Sequence, residues 1–352
     1  MLPNHKIRIL IVDDSAIVRK ILAEALSGEP DMEVVGTAPD PFLARDKILT
    51  LRPDVLTLDI EMPRMDGLTF LRKLMHFHPL PTVVISSLAQ ASCSAAVRAL
   101  ECGAVEVLAK PGGPYSVGEL SNTLAAKIRA AASSRVRRSD SPLPPHTNAP
   151  VTSTPVPPPR PAPRLPSGTI FAIGASTGGT EAVASILTRL PESSPGIVIT
   201  QHIPPVFSKA FANRLNEICA LEVREAVDGD VVRPGLALIA PGDFHMLLRH
   251  SGGEYSVSVK TGPRVCYQRP SVDVLFSSVA EAAGKRAVGV LLTGMGCDGA
   301  QGLLQMRRAG ARTIAQNEAT CVVYGMPREA VELGAAAQIL PLNSVAHAML
   351  AG

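Results

Sequence analysis

Through the first 132 residues, short apolar runs alternate with segments whose apolar residues recur every three or four positions. IRILIV precedes AIVRKILAEAL, EVVG precedes PFLARDKILTL, DVLTLDI precedes GLTFLRKLM, TVVISS precedes SAAVRAL, and AVEVLA precedes ELSNTLAAKIRAA. The first kind of segment has the continuous apolar character of a strand buried on both faces, and the second the period of an amphipathic helix. Five βα repeats are therefore predicted, forming a parallel five-stranded, flavodoxin-like sheet with helices on both faces. From residue 169 the alternation resumes with IFAI, EAVASILTRL, GIVIT, AVGVLLTG and AQGLLQMRRAG. This predicts a second α/β unit, doubly wound, mostly parallel and Rossmann-like, with a hairpin at RHSGGEYSVSVK.

The stretch between the two units has no such periodicity. Residues 133–168 hold 11 of the chain's 31 prolines and cannot form a core. Prolines favour extended polyproline conformations, so the segment reads as a semi-rigid linker, with a proline-rich docking ligand as the alternative. The expected division is 1–132, 133–168 and 169–352, and 352 residues suffice for two cores.

Charge sharpens this picture. The chain carries a formal +3, but the linker holds Arg135, Arg137, Arg138, Arg160 and Arg164 against Asp140 alone, a net +4, so the remainder is −1. With no basic face, no tryptophan and 3% aromatic residues, nucleic acid is not an expected partner. No apolar run approaches the roughly 18 residues of a membrane span, and acids follow the first short apolar run directly, unlike a signal peptide. No membrane insertion and a cytoplasmic location are expected. The six cysteines lie far apart with no CxxC pair, so buried reduced thiols are expected, with neither a zinc site nor a disulfide framework.

In a doubly wound sheet, ligands collect beyond the carboxyl ends of the strands. There the first unit places Asp13 and Asp14, then Asp59, then Ser86 and Ser87, and finally Lys110. Singly, Asp14 or Ser15 reads as a helix cap. Together, clustered carboxylates repel unless a cation or proton intervenes, and a hard divalent ion such as Mg²⁺ prefers oxygen ligands. The set IVDDS, DVLTLDIEMPRMDG, VISS and AKP, in this order, closely resembles the receiver domain of two-component response regulators. The resemblance implies Asp59 as phosphoacceptor, and Asp13 and Asp14 as Mg²⁺ ligands with the Glu61 backbone carbonyl near the ion. It also implies Ser86 as the switch hydroxyl and Lys110 as the phosphate partner. Val107 departs from the pattern, because that position is often aromatic in receivers.

In the second unit, Ser176 lies in Gly174-Ala175-Ser176-Thr177-Gly178-Gly179 between a predicted strand and a predicted helix. Such a turn fits a phosphate cradle, a plain helix cap or a nucleophile elbow, since exposed amides at a helix start favour negative charge. His202 and Asp298 follow two further strand candidates and would project from the same rim, an arrangement that suits a nucleophile, a base and an orienting acid. Read singly, His202 is a loop histidine and Asp298 the N-cap of AQGLLQMRRAG. His245, Asp243, Asp228 and Asp230 read as structural or substrate-shaping. The order Ser, His, Asp differs from that of α/β-hydrolases, so that fold is not expected.

IGASTGGTEA, TQHIPP, APGDFHM, QRPSVDVLF and LLTGMGCDGA together closely resemble the catalytic domain of the CheB family of chemotaxis protein-glutamate methylesterases. The resemblance implies hydrolysis of glutamyl methyl esters on methyl-accepting chemotaxis receptors, and often deamidation of receptor glutamines. An acidic switch joined to a hydrolase by a proline-rich tether leads to the expectation that phosphorylation by the chemotaxis histidine kinase controls the hydrolase. The resemblance assigns Ser176 as nucleophile, His202 as base and acid, and Asp298 as the orienting carboxylate. Thr177 and the Met295 amide fall near the oxyanion, with no cofactor at the esterase site. Gln268 stands where some members have histidine. Two rivals compete with this reading. A nucleotide-binding module lacks the acid about 20 positions after the glycines that a ribose needs, and a DNA-binding regulator lacks a helix-turn-helix candidate.

Overall fold

A computed structural model of the chain describes residues 6–110, 117–134 and 165–351. Residues 135–164, most of the predicted linker, lie outside the described residues. The N-terminal domain runs β1 (Ile7–Val12), α1 (Ala16–Ser27), β2 (Met32–Ala38), α2 (Pro41–Leu51), β3 (Val55–Asp59), α3 (Gly67–Phe77), β4 (Thr82–Ser86), α4 (Gln90–Glu101), β5 (Glu106–Ala109) and α5 (Val117–Ala132). Its strands lie in the order β2-β1-β3-β4-β5, all neighbours parallel. Every residue of β3, β4 and β5 is buried, as the continuous apolar runs required. The helices start at built caps. Ser15, and not the exposed Asp14, accepts from the Val18 amide at 3.4 Å to begin α1. Asp40 accepts from Phe42 and Leu43 amides at 2.9 and 3.0 Å to begin α2 just before Pro41.

The C-terminal domain runs β6 (Ile170–Ala175), α6 (Gly179–Leu187), β7 (Gly196–Gln201), α7 (Phe207–Ile218), β8 (Glu222–Glu225), β9 (Leu236–Ile239), β10 (His245–Ser251), β11 (Glu254–Lys260), α8 (Val272–Ala283), β12 (Ala287–Leu291), α9 (Ala300–Arg308), β13 (Arg312–Gln316), α10 (Met326–Glu332), β14 (Gln338–Leu340) and α11 (Leu342–Leu350). Seven strands form one sheet, β14-β13-β12-β6-β7-β9-β8, with every neighbouring pair parallel. β10 and β11 form a separate antiparallel hairpin, as predicted. The chain winds outward from β6 in one direction through β7 and from β12 in the other through β13. The crevice at this switch point is the place where such sheets receive ligands.

The two domains share a packed face. One apolar cluster continues from Leu74, Val97 and Leu100 of the N-terminal domain to Val183, Phe207 and Phe211 of the C-terminal domain. At its edge Arg214 on α7 donates through Nε to Glu101 Oε1 on α4 at 2.6 Å. Val322 of the C-terminal domain also packs against the cluster formed by α1, α5 and the sheet of the N-terminal domain.

Candidate active site

At the rim of the first sheet, Asp13 and Asp14 follow β1 and Asp59 ends β3, so the three carboxylates each offer an oxygen within 4.8 Å of the others. Lys110, just beyond β5, sits 2.8 Å from Asp59 Oδ2 and 3.4 Å from Asp13 Oδ2. Burial pushes the Asp59 carboxyl up to about 6, with the Asp13 charge adding and the Lys110 ammonium and Glu61 amide opposing. Burial raises Asp13 as well. Burial alone would lower Lys110, but its hydrogen bond to Asp59 and the charges of both acids raise it. Asp13 Oδ2 is buried and, among the described residues, is met by the Lys110 ammonium alone. Three hard oxygen donors that converge in this way suit a divalent cation such as Mg²⁺.

The Ser86 hydroxyl and the Glu61 side chain have other partners here. The Ser86 hydroxyl, buried at the end of β4, donates to the Ser92 carbonyl at 3.3 Å. Glu61 touches the cluster through its backbone N–H, which donates to Asp59 Oδ1 at 3.1 Å. Its side chain turns instead to the Ser87 and Ser92 hydroxyls at the start of α4. Val107 is buried in the core.

At the rim of the second sheet, β6 and β7 are in register through Ala175 and Gln201, so Ser176 and His202 leave neighbouring strands at the same height. The His202 amide bonds the Ala175 carbonyl at 3.0 Å and the Ser176 amide bonds the Thr293 carbonyl at 3.0 Å, which ties the ends of β6, β7 and β12 together. Gln201 Nε2 donates to the Ser176 carbonyl at 2.8 Å. The glycines of the turn have steric causes. Gly178 adopts φ +73° immediately before α6, and a Cβ on Gly179 would lie 2.2 Å from Gln201 Oε1 and 2.6 Å from Ala175 Cβ.

His202 Nε2 meets Asp298 Oδ2 at 2.8 Å, both side chains being buried. Asp298 does not cap α9, whose N-cap is Gly299. Its oxygens instead accept from Ser271 Oγ at 2.8 Å, the Val272 amide at 2.7 Å and the Asp273 amide at 3.0 Å, so it serves the start of α8. Burial pushes the Asp298 carboxyl up, but the His202 hydrogen bond and charge, together with those amides, bring it below the usual carboxylate range. A carboxylate held ionised on Nε2 fixes a proton there and leaves Nδ1 as the basic nitrogen. His202 Nδ1 is buried and has no hydrogen-bond partner among the described residues, so the structure brings His202 and Asp298 into contact but does not join the Ser176 hydroxyl to His202 by a hydrogen bond. An alcohol, a basic nitrogen and an ionised acid at one rim, with a helix N-terminus beside them, can perform nucleophilic acyl transfer.

The remaining expected residues are accounted for. His245 is buried, with Nε2 on the Pro263 carbonyl at 2.9 Å and Nδ1 accepting from the Ser271 amide at 3.2 Å, a structural role. Asp243 holds Arg269, Asp230 holds the Val227 amide, and Asp228 holds the Val259 amide. Met295 lies on the loop after β12 in a cleft of about 650 Å³ shared with Cys297, Val322, Tyr324 and Arg328.

The expectation of buried thiols holds for Cys93 and Cys321. It fails for Cys266 and Cys297, which are exposed because both sit on rim loops and not in strands. Sequence reading also missed Glu106. This residue is buried on β5, where Oε2 accepts from Lys127 Nζ at 2.6 Å and Oε1 accepts from the Thr177 hydroxyl at 2.7 Å. A carboxylate of the N-terminal domain thus grips the residue adjacent to Ser176. The available signal was one charge inside the apolar run AVEVLA.

Residues 171–349 match the CheB methylesterase family model and residues 9–120 the response regulator receiver domain model. The chain is 55% identical over 343 residues to a Syntrophus aciditrophicus protein named protein-glutamate methylesterase/protein-glutamine glutaminase 2, covering 97% of each chain. It is 52% identical over 348 residues to the Escherichia coli O157:H7 protein-glutamate methylesterase/protein-glutamine glutaminase, covering 98% of this chain and 97% of that one. The crystal structure of the Thermotoga maritima CheB methylesterase catalytic domain aligns with 39% identity and a TM-score of 0.51, over 52% of this chain and 98% of that one. No helix among the described residues is long and apolar enough to cross a membrane.

Proposed function

The chain belongs to the CheB methylesterase family and carries a response-regulator receiver domain ahead of the esterase, and on that premise we propose a phosphorylation-controlled hydrolase of glutamyl methyl esters on methyl-accepting chemotaxis receptors. Residues 1–132 act as the receiver, 133–168 as the connection and 169–352 as the catalytic domain, and the work is done on the cytoplasmic receptor helices. The observation that carries this reading is the buried His202–Asp298 pair, which leaves Nδ1 without a hydrogen-bond partner among the described residues, on the strand next to the one that ends at Ser176.

Ser176 Oγ attacks the ester carbonyl as His202 Nδ1 takes its proton, forming a tetrahedral oxyanion. Thr177 and the Met295 amide lie near that charge. Asp298 stabilises the imidazolium and keeps it oriented. His202 returns the proton to the leaving methoxide, methanol departs, and a water deprotonated by His202 then frees the glutamate and Ser176. A glutamine side chain follows the same course with ammonia as leaving group. Each turnover on the ester gives the receptor one carboxylate.

In the closed arrangement the Glu106 carboxylate occupies the Thr177 hydroxyl, and the α4, α5 and β5 side of the receiver covers the approach for a receptor helix. Asp59 accepts a phosphoryl group from the chemotaxis histidine kinase, with Lys110 meeting the added oxygens. Asp13, Asp14 and Asp59 would hold Mg²⁺, which when bound neutralises the charge of an incoming phosphoryl group. Phosphorylation biases the pair toward the open arrangement.

The test is methanol release from methyl-labelled receptor membranes. Ser176→Ala is expected to lower the rate by a factor on the order of 10⁶, and Asp59→Asn to abolish stimulation by a phosphodonor while keeping the basal rate. Near-normal release by Ser176→Ala would overturn the assignment.

A further inference from the structure

Two cysteines beside the esterase site take no part in the mechanism above. Cys266 and Tyr267 form the tip of a tight turn on the loop between β11 and α8. The turn is closed by the Val265 amide on the Gln268 carbonyl at 3.1 Å and by the Gln268 amide on the Val265 carbonyl at 2.8 Å. A two-residue turn with φ positive at both positions favours Asn-Gly or Gly-Gly, yet here φ is +49° at Cys266 and +64° at Tyr267. Strain of that kind persists only where the surroundings hold it, and it gathers at functional sites. The turn brings Cys266 against Cys297, on the loop after β12, with the two sulfurs 3.9 Å apart. Both residues are exposed and both thiols are free.

We propose that Cys266 and Cys297 are a redox-sensing pair, joined by peroxide into a reversible disulfide that lowers the esterase activity. The sulfurs already meet at 3.9 Å, so a bond of about 2.0 Å needs each to move about 1 Å, within reach of side-chain rotation on exposed loops. The Cys266 thiol is pushed up to about 12, first by loss of solvent around the sulfur, then by the hydrogen bond and charge of Cys297 and by the charges of Asp298 and Asp273. Cys266 therefore keeps its proton, and Cys297 is oxidised first. The Cys297 thiolate attacks peroxide, the O–O bond breaks, and a sulfenic acid and hydroxide result. The Cys266 sulfur then attacks the Cys297 sulfur, the S–O bond breaks, and the thiol proton leaves with the hydroxyl as water. In sum, two thiols and one peroxide give one disulfide and two waters. A dithiol reverses the bond by exchange.

The consequence for activity rests on the proposed esterase. Cys297 immediately precedes Asp298, whose Oδ2 meets His202 Nε2 at 2.8 Å, and the same loop carries Met295. The turn at Cys266 leads into Ser271 and Val272, which also bond the Asp298 carboxylate. A disulfide thus pulls on both loops that hold this carboxylate. A displacement of about 1 Å near the chemistry costs on the order of 10²-fold in rate. Side-chain rotation takes part of the movement, so a loss of at least about tenfold is expected.

The test takes the reduced full chain, freed of reductant, and exposes it to excess hydrogen peroxide. Free thiols are alkylated before unfolding, and the digest is read by mass spectrometry. The expected product is a peptide pair joined through Cys266 and Cys297, with the thiol count falling by two from the six of the reduced chain. Methanol release from methyl-labelled receptor membranes is expected to fall at least about tenfold in the joined chain and to return after a dithiol. The chain carrying both Cys266→Ser and Cys297→Ser forms no such pair and keeps the rate it had before treatment. Cys297→Ser alone leaves Cys266 a free thiol, whereas Cys266→Ser lets Cys297 pass on to the sulfinic acid. Absence of the joined pair in excess peroxide overturns the site. A joined chain with undiminished rate overturns the switch, as does an equal loss of rate in the doubly substituted chain. A reduced chain that releases no methanol overturns the esterase reading and leaves the disulfide result standing.

Discussion

The Glu106 contact makes the proposed control of the esterase testable. Glu106 Oε1 accepts the Thr177 hydroxyl at 2.7 Å and Oε2 the Lys127 ammonium at 2.6 Å, and both Glu106 and Thr177 are buried. A hydrogen bond to a charged group contributes about 1.5–3 kcal/mol, a factor of about 10–150 in an equilibrium. Glu106→Ala removes the acceptor seen in this arrangement and, on the proposed control, leaves the open one nearly unchanged. Basal methanol release without phosphodonor is therefore expected to rise by up to that factor, with the rate of a 165–351 fragment as its ceiling. Glu106→Gln keeps a neutral acceptor and loses about 1 kcal/mol of charge assistance, so its rise is expected near fivefold. Because either change also strands Lys127, the receiver's integrity is checked by phosphoryl uptake at Asp59. The reasoning is refuted if Glu106→Ala hydrolyses at the wild-type basal rate while the fragment is faster, or if Glu106→Gln exceeds Glu106→Ala.

Other substitutions probe the site and its support. Asp298→Asn places an amide where four donors converge, so kcat is expected to fall about 10⁴-fold and stability by about 1–3 kcal/mol, read by steady-state kinetics and denaturant titration. Gly179→Ala drives a methyl group into Gln201, whose amide holds the Ser176 carbonyl, and is expected to cost about 1–3 kcal/mol and most of the hydrolysis. A thermal midpoint equal to wild type would contradict that. Arg129 holds Asp31 through a paired hydrogen bond that lowers the Asp31 pKa from 3.8. The depressed carboxylate contributes stability that is present above its unfolded value and lost as pH falls through the lower folded value. Arg129→Met is expected to cost under about 1 kcal/mol at neutral pH, since the pair is partly exposed, and the gap closes as pH drops below 3.8. A gap that persists in acid would rule out this ion pair as its source.

Much of this molecule is a local consequence of its residues. Buried parallel strands must be continuously apolar, so runs such as VLTLD and IFAI marked the sheets, and the alternating helical segments fixed their wound character. Every parallel strand delivers its next residue to the same rim, which is why the rim placement of Asp13, Asp59, Ser176 and His202 was legible from position, while their roles were not. Side-chain direction was not legible. Whether Ser86 faces Asp59 or Ser92, and whether Asp298 caps its own helix or the start of α8, depends on neighbours 6 and 26 residues away.

The same limit hides what joins distant segments. The grip of Glu106 on Thr177 spans 71 residues, and the approach of Cys266 to Cys297 spans 31. No periodicity or motif encodes such pairs, because they exist only once two packed surfaces or two loops have been brought together. The sequence by itself determined two wound α/β domains and the residues at their rims. The tertiary structure alone decided which side chains touch, because hydrogen bonds and ion contacts reach only a few ångströms and the distances between loops are set by the packing beneath them.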